Sequence, residues 1–91
     1  MPPRTASCTV VNSRGLHARA AAKFVRLAAT FDAEVMVERD GAQVPATSIL
    51  GLMMLGACRG AELTMVADGA EAEVALAALV ALVARGFDET D

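Results

Sequence analysis

One histidine stands alone in this 91-residue chain, and its neighbours indicate what it could do. His17 lies in "RGLHARAA" (14–21), after Gly15 and directly before alanines that favour a helix. The first N–H groups of a helix lack internal partners and carry partial positive charge, so they form an anion site. An imidazole nitrogen there could attack a phosphoryl group, while the amides of Ala18 and Arg19 and the Arg19 guanidinium receive the phosphate oxygens. On the residues alone, a plain capping or surface role for this histidine stays open.

Other kinds of reactive site find little support in the residue types. A single histidine cannot assemble a zinc site, and Cys8 and Cys58 match neither a metal-binding pair nor a redox CxxC motif. We therefore expect no metal, no cofactor, and two reduced thiols that behave as small buried hydrophobes. A hydrolytic triad would need Ser13 or Ser48 and a distant acid such as Asp68 to meet the histidine through folding.

Charge is distributed unevenly along the chain. The first 31 residues hold five basic and no acidic side chains, whereas the rest holds three basic and eleven acidic ones. This asymmetry predicts one electropositive face on an acidic body, suited to an anionic group or an acidic partner, although a chance cluster on a solvated helix is the alternative. An acidic body disfavours nucleic acid as a partner. The five basic residues are Arg4, Arg14, Arg19, Lys23 and Arg26.

Composition and hydropathy argue against two further classes of function, nucleobase stacking and membrane insertion. Aromatic residues make up 3% of the chain, which argues against stacking on nucleobases. The longest apolar run, "VALAALVALVA" (74–84), is about half the length needed to cross a bilayer, so it predicts a core helix and no membrane contact. No secretory signal is evident at the start, and we expect one cytoplasmic domain over residues 1–91.

Periodicity and turn residues predict the element order β-α-β-β-α-β-α, with four strands and three helices on one face in a two-layer α+β sandwich. Asp40-Gly41 suits a tight hairpin turn, and Pro45 belongs at a sheet edge or strand end. Gly86-Phe87 predicts a helix end with the ring folded back. The elements are a strand at 5–11, a helix at 18–30, the two hairpin strands, a short helix at 49–56 capped by Thr47 or Ser48, a strand at 62–67 and a helix at 70–85 with Ala72, Leu76, Leu79 and Val83 inward.

Two segments resemble those of a known family. "GLHARAAAKFV" (15–25) is similar to the active-site signature GLHARPA of the HPr family, the phosphocarrier proteins of the bacterial phosphotransferase system, and "ATSILGLMMLG" (46–56) resembles that family's regulatory-serine segment. The resemblance implies an open-faced β-sandwich with a four-stranded antiparallel sheet. It implies that His17 is phosphorylated on Nδ1, with Arg19 as phosphate partner. The donor would be phosphorylated enzyme I and the acceptor an enzyme IIA domain, so the chain would be a covalent carrier and not an independent enzyme.

The same resemblance assigns a second modification site and shows one departure. Ser48 matches the serine that an HPr kinase/phosphorylase modifies in some bacteria, and a phosphate there would repel an acidic partner. Ala20 stands where the signature has proline, which fixes φ in the first helical turn at little cost. We expect the fold to tolerate alanine, with somewhat looser presentation of the histidine.

The short second helix predicts a surface for partner proteins. Helical spacing places Leu52 and Leu55 in the core and leaves a Met-bearing apolar patch beside the histidine, although a core position for some of these residues is the alternative. Small, transient contacts of a monomer would suit a carrier with several partners. The predicted docking residues are Ala18, Ala20, Lys23, Arg26, Ile49, Leu50, Met53 and Met54.

Two further questions stay open from the sequence. "FDAEV" (31–35), "LMML" (52–55) and the ending "ALAALVALVARGFDET" (75–90) are similar to NPr, the nitrogen-branch paralogue, whereas the Ser48 segment is compatible with an HPr under kinase control. The competing function is a regulatory binding module that is controlled through Ser48 and transfers little phosphate through His17.

Overall fold

The computed structural model describes residues 3–89, which form one sheet with helices packed on one of its faces. The predicted order β-α-β-β-α-β-α is confirmed, with a 3₁₀ turn added at the end. The elements are β1 (Arg4–Thr9), α1 (Ala18–Ala28), β2 (Glu34–Arg39), β3 (Ala42–Pro45), α2 (Ile49–Met54), β4 (Glu62–Asp68), α3 (Ala72–Ala84) and the 3₁₀ turn Gly86–Asp88.

The sheet is antiparallel throughout, in the order β1-β4-β2-β3. The predicted hairpin turn is present: Asp40 and Gly41 both have positive φ, 51° and 86°, as a type I′ turn requires. Pro45 lies on β3, an edge strand, and pairs with Met36 on β2. No strand lies beyond β3 in the sheet, so the missing N–H of proline is tolerated there. The sheet therefore leaves β1 and β3 as its two edges.

The core lies between one face of the sheet and the three helices. Alternation in β4 buries Leu63, Met65 and Ala67 and turns Glu62 outward, so one face is packed and the other solvated. Every α3 residue predicted to face inward is buried, namely Ala72, Leu76, Leu79 and Val83, and Ala75 and Leu82 are buried with them.

The helix ends differ slightly from the sequence-based bounds. Helix α1 ends at Ala28 instead of Thr30, and α3 covers 72–84 instead of 70–85. Phe87, which the sequence predicts to fold back on the last turn of α3, is fully buried and has a left-handed φ of 57°. Its burial keeps a non-glycine residue in a conformation that is otherwise unfavourable.

The two cysteines occupy unlike environments, which corrects the prediction that both are buried. Cys8 on β1 is half-buried, whereas Cys58 is exposed, in the loop between α2 and β4. Burial, with a smaller contribution from the Glu62 carboxylate, raises the pKa of the Cys8 thiol to about 11. The thiolate that reacts with alkylating reagents is therefore scarce at Cys8.

Alkylation with iodoacetamide at pH 8 should distinguish the two thiols. At that pH only about one Cys8 side chain in a thousand is a thiolate, so we expect the folded protein to gain a single adduct, on Cys58, before any on Cys8. Peptide mass spectrometry locates the adduct, and Cys58→Ser should lack it. Equal labelling rates at the two sites would contradict this prediction.

Among residues 3–89, no helix is both long and apolar enough to cross a membrane.

Candidate functional site

His17 lies at the N-terminus of α1, where the sequence predicts it. It is the N-cap residue, with extended backbone (φ −74°, ψ 176°), and its carbonyl accepts the first helical hydrogen bond from the Ala21 amide at 2.8 Å. The imidazole makes no capping hydrogen bond, and the side chain is 15% exposed. The ring is therefore available for other contacts beside the open end of the helix.

The turn before the histidine is tied to its surroundings by backbone contacts. Gly15 has a φ of 63°, a left-handed conformation that favours glycine, and its amide donates to the Asn12 carbonyl at 3.2 Å. The Leu16 amide donates to the Ala57 carbonyl at 2.9 Å, which joins this turn to the loop after α2. A β-carbon on Gly15 would lie 2.3 Å from the same Ala57 oxygen. Only glycine fits this close approach.

A carboxylate that sequence reasoning missed also reaches the histidine. One oxygen of Glu89 contacts His17 Nε2, and the other accepts a hydrogen bond from Asn12 Nδ2 at 2.9 Å. The nearest acidic residue along the chain, Asp32, was too far in sequence to suggest a neighbour. The Gly86-Phe87 signal predicted a helix end with Phe87 folded back on the last turn, but nothing in it indicated that a following carboxylate would meet the imidazole.

The predicted basic residues of α1 fall into two groups. Arg19 and Arg26 are exposed, as is Ala18. Lys23 is half-buried, and its Nζ donates to the Phe87 carbonyl at 2.7 Å, so it anchors the C-terminal turn as well as adding charge. Ala20 is fully buried, which corrects its assignment to the docking surface. Ala20 lies on the side of α1 that faces the core.

The predicted apolar surface on α2 is present. Leu52 and Leu55 are buried, as the helical spacing predicts. Helix α2 packs against α1, the helix whose N-cap residue is His17. We call these four residues the α2 patch: Ile49 (41% exposed), Leu50 (69%), Met53 (41%) and Met54 (77%).

Ser48 is the N-cap residue of α2. Its Oγ accepts a hydrogen bond from the Gly51 amide at 2.9 Å, and the residue is half-buried. Of the two caps that the sequence allowed, Ser48 therefore holds the position. Phosphate on this oxygen would lie at the start of α2 beside the α2 patch.

The described residues contain no candidate metal site. Within residues 3–89, no group of three or more His, Cys, Asp or Glu side chains is placed to hold an ion.

Comparison with known proteins identifies the class to which this fold and site belong. A family model described as "PTS HPr component phosphorylation site" matches residues 4–85. The phosphocarrier protein HPr of Cupriavidus necator is 47% identical, covering 89% of this chain and 91% of the relative. The phosphocarrier protein NPr of Escherichia coli is 42% identical, covering 88% of this chain and 90% of the relative.

The solved structures similar to this fold include HPr proteins, the same class as the sequence relatives. The crystal structure of HPr-C-His from Thermoanaerobacter tengcongensis superimposes with a TM-score of 0.91 at 39% identity, covering 97% of this chain and 99% of that one. A structure of an HPr dimer from the same organism matches with a TM-score of 0.75 at 44% identity. The chain therefore has the open-faced sandwich of these carriers, as predicted. It belongs to the HPr family of the phosphotransferase system.

Proposed function

We propose that this chain is a phosphocarrier of the phosphotransferase system that accepts a phosphoryl group on His17 from phosphorylated enzyme I and passes it to an enzyme IIA domain. The observation that carries the proposal is the placement of His17. It is the only imidazole in the chain and lies at the N-terminus of α1. The chain also matches a family model that is described by its phosphorylation site.

The chemistry follows from the groups around the ring. The imidazole is a nitrogen nucleophile, and the first amides of α1, which have no partner within the helix, are hydrogen-bond donors for phosphate oxygens. The exposed guanidinium of Arg19, two residues into the helix, supplies a planar charged donor. We assign Nδ1 as the acceptor atom because Glu89 contacts the other ring nitrogen, Nε2. The chain holds the group covalently between two partners, so its role is that of a carrier.

The α2 patch and the exposed basic residues of α1 together suit transient partners. Four exposed apolar side chains on α2 lie next to a helix that exposes Ala18, Arg19 and Arg26. Flexible methionines adapt to different partner surfaces, and the charged rim steers acidic partners without making the contact tight. We propose this combined surface as the docking site for enzyme I and enzyme IIA.

Ser48 is a candidate control point on the same surface. A phosphate of charge about −2 on Ser48 would lie beside the α2 patch and would replace the hydroxyl that caps the helix. We propose that an HPr kinase/phosphorylase is the partner that would use it. A monomer in the cytoplasm is the state in which we expect the chain to act, and the HPr dimer among its relatives makes the oligomeric state worth measuring. Relatives of both branches match, so a sugar-branch or a nitrogen-branch acceptor fits the proposal.

Phosphorylation in vitro tests the proposal directly. Incubation with phosphoenolpyruvate and a bacterial enzyme I should add one phosphate to the chain, labile in acid and stable in base, as expected of phosphohistidine. Intact-mass spectrometry gives the stoichiometry, and ³¹P–¹⁵N NMR gives the ring nitrogen. An HPr known to accept phosphate from the same enzyme I is the control. If that control is labelled and this chain is not, the proposed function is wrong.

A further inference from the structure

The carboxylate of Glu89 connects two side chains that lie far before it in the sequence. One oxygen contacts His17 Nε2, and the other accepts from Asn12 Nδ2 at 2.9 Å. The His17 and Glu89 side chains are each 15% exposed, so the contact is largely shielded from water. Charged hydrogen bonds of this kind are stronger than neutral ones and are strengthened by partial burial.

Asn12 fixes the orientation of that carboxylate. It is 3% exposed, and its Nδ2 also donates to the Gly15 carbonyl at 2.9 Å. Both neighbours of Nδ2 are acceptors, so rotating the amide by half a turn would place Oδ1 against a carbonyl and a carboxylate. Asn12 therefore links the turn before His17 to Glu89 in one arrangement.

The backbone before Glu89 is held in a conformation that only a packed environment maintains. Gly86, Phe87 and Asp88 all have positive φ, at 64°, 57° and 63°. Two of these are not glycine and carry a conformational cost, which the full burial of Phe87 offsets. Lys23 holds the Phe87 carbonyl at 2.7 Å, and the Glu89 amide donates to the Gly86 carbonyl at 3.0 Å. The fold thus directs residue 89 toward the histidine.

We propose that Glu89 is a positioning residue for His17: its carboxylate accepts the Nε2–H hydrogen bond, which holds the ring in the tautomer whose Nδ1 carries the free lone pair. This inference rests on the proposed phosphocarrier function. A neutral imidazole has one donor and one acceptor nitrogen, and a carboxylate at one nitrogen selects the proton for that side.

The transfer of the phosphoryl group to His17 neither releases nor takes up a proton. The Nδ1 lone pair forms the new N–P bond, the bond between phosphorus and the donor's leaving atom breaks, and its electron pair goes to that atom. The ring keeps its Nε2 proton and becomes cationic, and the Glu89 carboxylate stabilises that charge. The reverse electron movement returns the neutral ring when the phosphoryl group passes to the acceptor. Glu89 acts through His17 and does not touch the phosphorus.

Two variants of equal charge test this inference. Glu89→Gln removes the carboxylate at the ring, whereas Asp88→Asn removes the neighbouring carboxylate, which pairs with Arg85 and not with His17. ¹⁵N NMR of the His17 ring reports the tautomer, and the initial rate of phosphorylation by enzyme I and phosphoenolpyruvate reports the consequence. We expect Glu89→Gln to raise the Nδ1–H population and to slow phosphorylation about tenfold, the size expected for losing a charged hydrogen bond.

The control and the wild type separate the possible failures. Asp88→Asn should keep the Nε2–H tautomer and a rate within about twofold of wild type, and thermal unfolding checks that both variants are folded. Wild-type and Glu89→Gln protein labelled equally fast, with the same tautomer, would overturn the positioning role alone. Faster labelling of Glu89→Gln would also overturn it, because Glu89 would then obstruct the ring. An unlabelled wild type beside a labelled HPr control would instead overturn the proposed function, and this inference with it.

Discussion

Replacing His17 with alanine should abolish phosphate acceptance while leaving the domain folded. The chain holds no other imidazole, so no second side chain can form phosphohistidine. We expect labelling by enzyme I and phosphoenolpyruvate to fall to background, a decrease of about a thousandfold or more in initial rate. Intact-mass spectrometry after acid and base treatment measures the remaining adduct.

The folded state should survive this change because the histidine contributes little to the helix that it precedes. Its side chain makes no capping hydrogen bond, so alanine keeps the helix N-terminus and removes the contact with Glu89. Thermal unfolding should therefore show a modest shift. Gln43→Ala is a matched control, because it alters an exposed residue on β3, outside the proposed docking surface, and keeps the imidazole. Acid-labile phosphate on the His17→Ala protein at the wild-type level would show that another residue is the acceptor.

Local signals account for most of what could be predicted from the sequence. Asp40-Gly41 predicted the hairpin because few residue pairs adopt positive φ together, and the structure shows that turn. The spacing of Leu52 and Leu55 predicted the buried side of α2, and its four exposed apolar residues follow from the same periodicity. The HPr fold was predicted from the resemblance of the two motifs, because no short segment encodes the order of strands in a sheet.

Long-range contacts account for what could not be predicted. Glu89 meets His17 because three left-handed residues, 86–88, turn the backbone toward the histidine. Gly86 signalled the helix end, but neither the positive φ of Phe87 and Asp88 nor the Lys23 contact with the Phe87 carbonyl can be read from residue types. The burial of Ala20 depends on which side of α1 faces the core, and the alanine run (18, 20–22) blurs that side. The exposure of Cys58 was missed because a loop gives no periodicity from which burial can be inferred.

Gly15→Ala should be among the most destabilising single substitutions at this site, with an expected loss of about 2–4 kcal/mol in the free energy of unfolding. Two costs combine. Alanine at a φ of 63° is strained, and its β-carbon would lie 2.3 Å from the Ala57 carbonyl oxygen and 3.0 Å from the Cys58 α-carbon. Both of these are backbone atoms, so neither can rotate away. Urea denaturation of the variant and the wild type measures the difference.

Gly41→Ala separates the two costs. Gly41 has a φ of 86° and no atom within 4 Å of the β-carbon position, so alanine there meets the conformational cost alone, about 1 kcal/mol. The excess loss in Gly15→Ala is then the energy of the close approach to Ala57. Because the Leu16 amide donates to that same carbonyl, the backbone movement that relieves the clash must also shift the residue before His17. We therefore expect Gly15→Ala to slow phosphorylation even below its unfolding temperature and Gly41→Ala to leave the rate unchanged. Equal stability losses in the two variants would contradict the close packing of this turn.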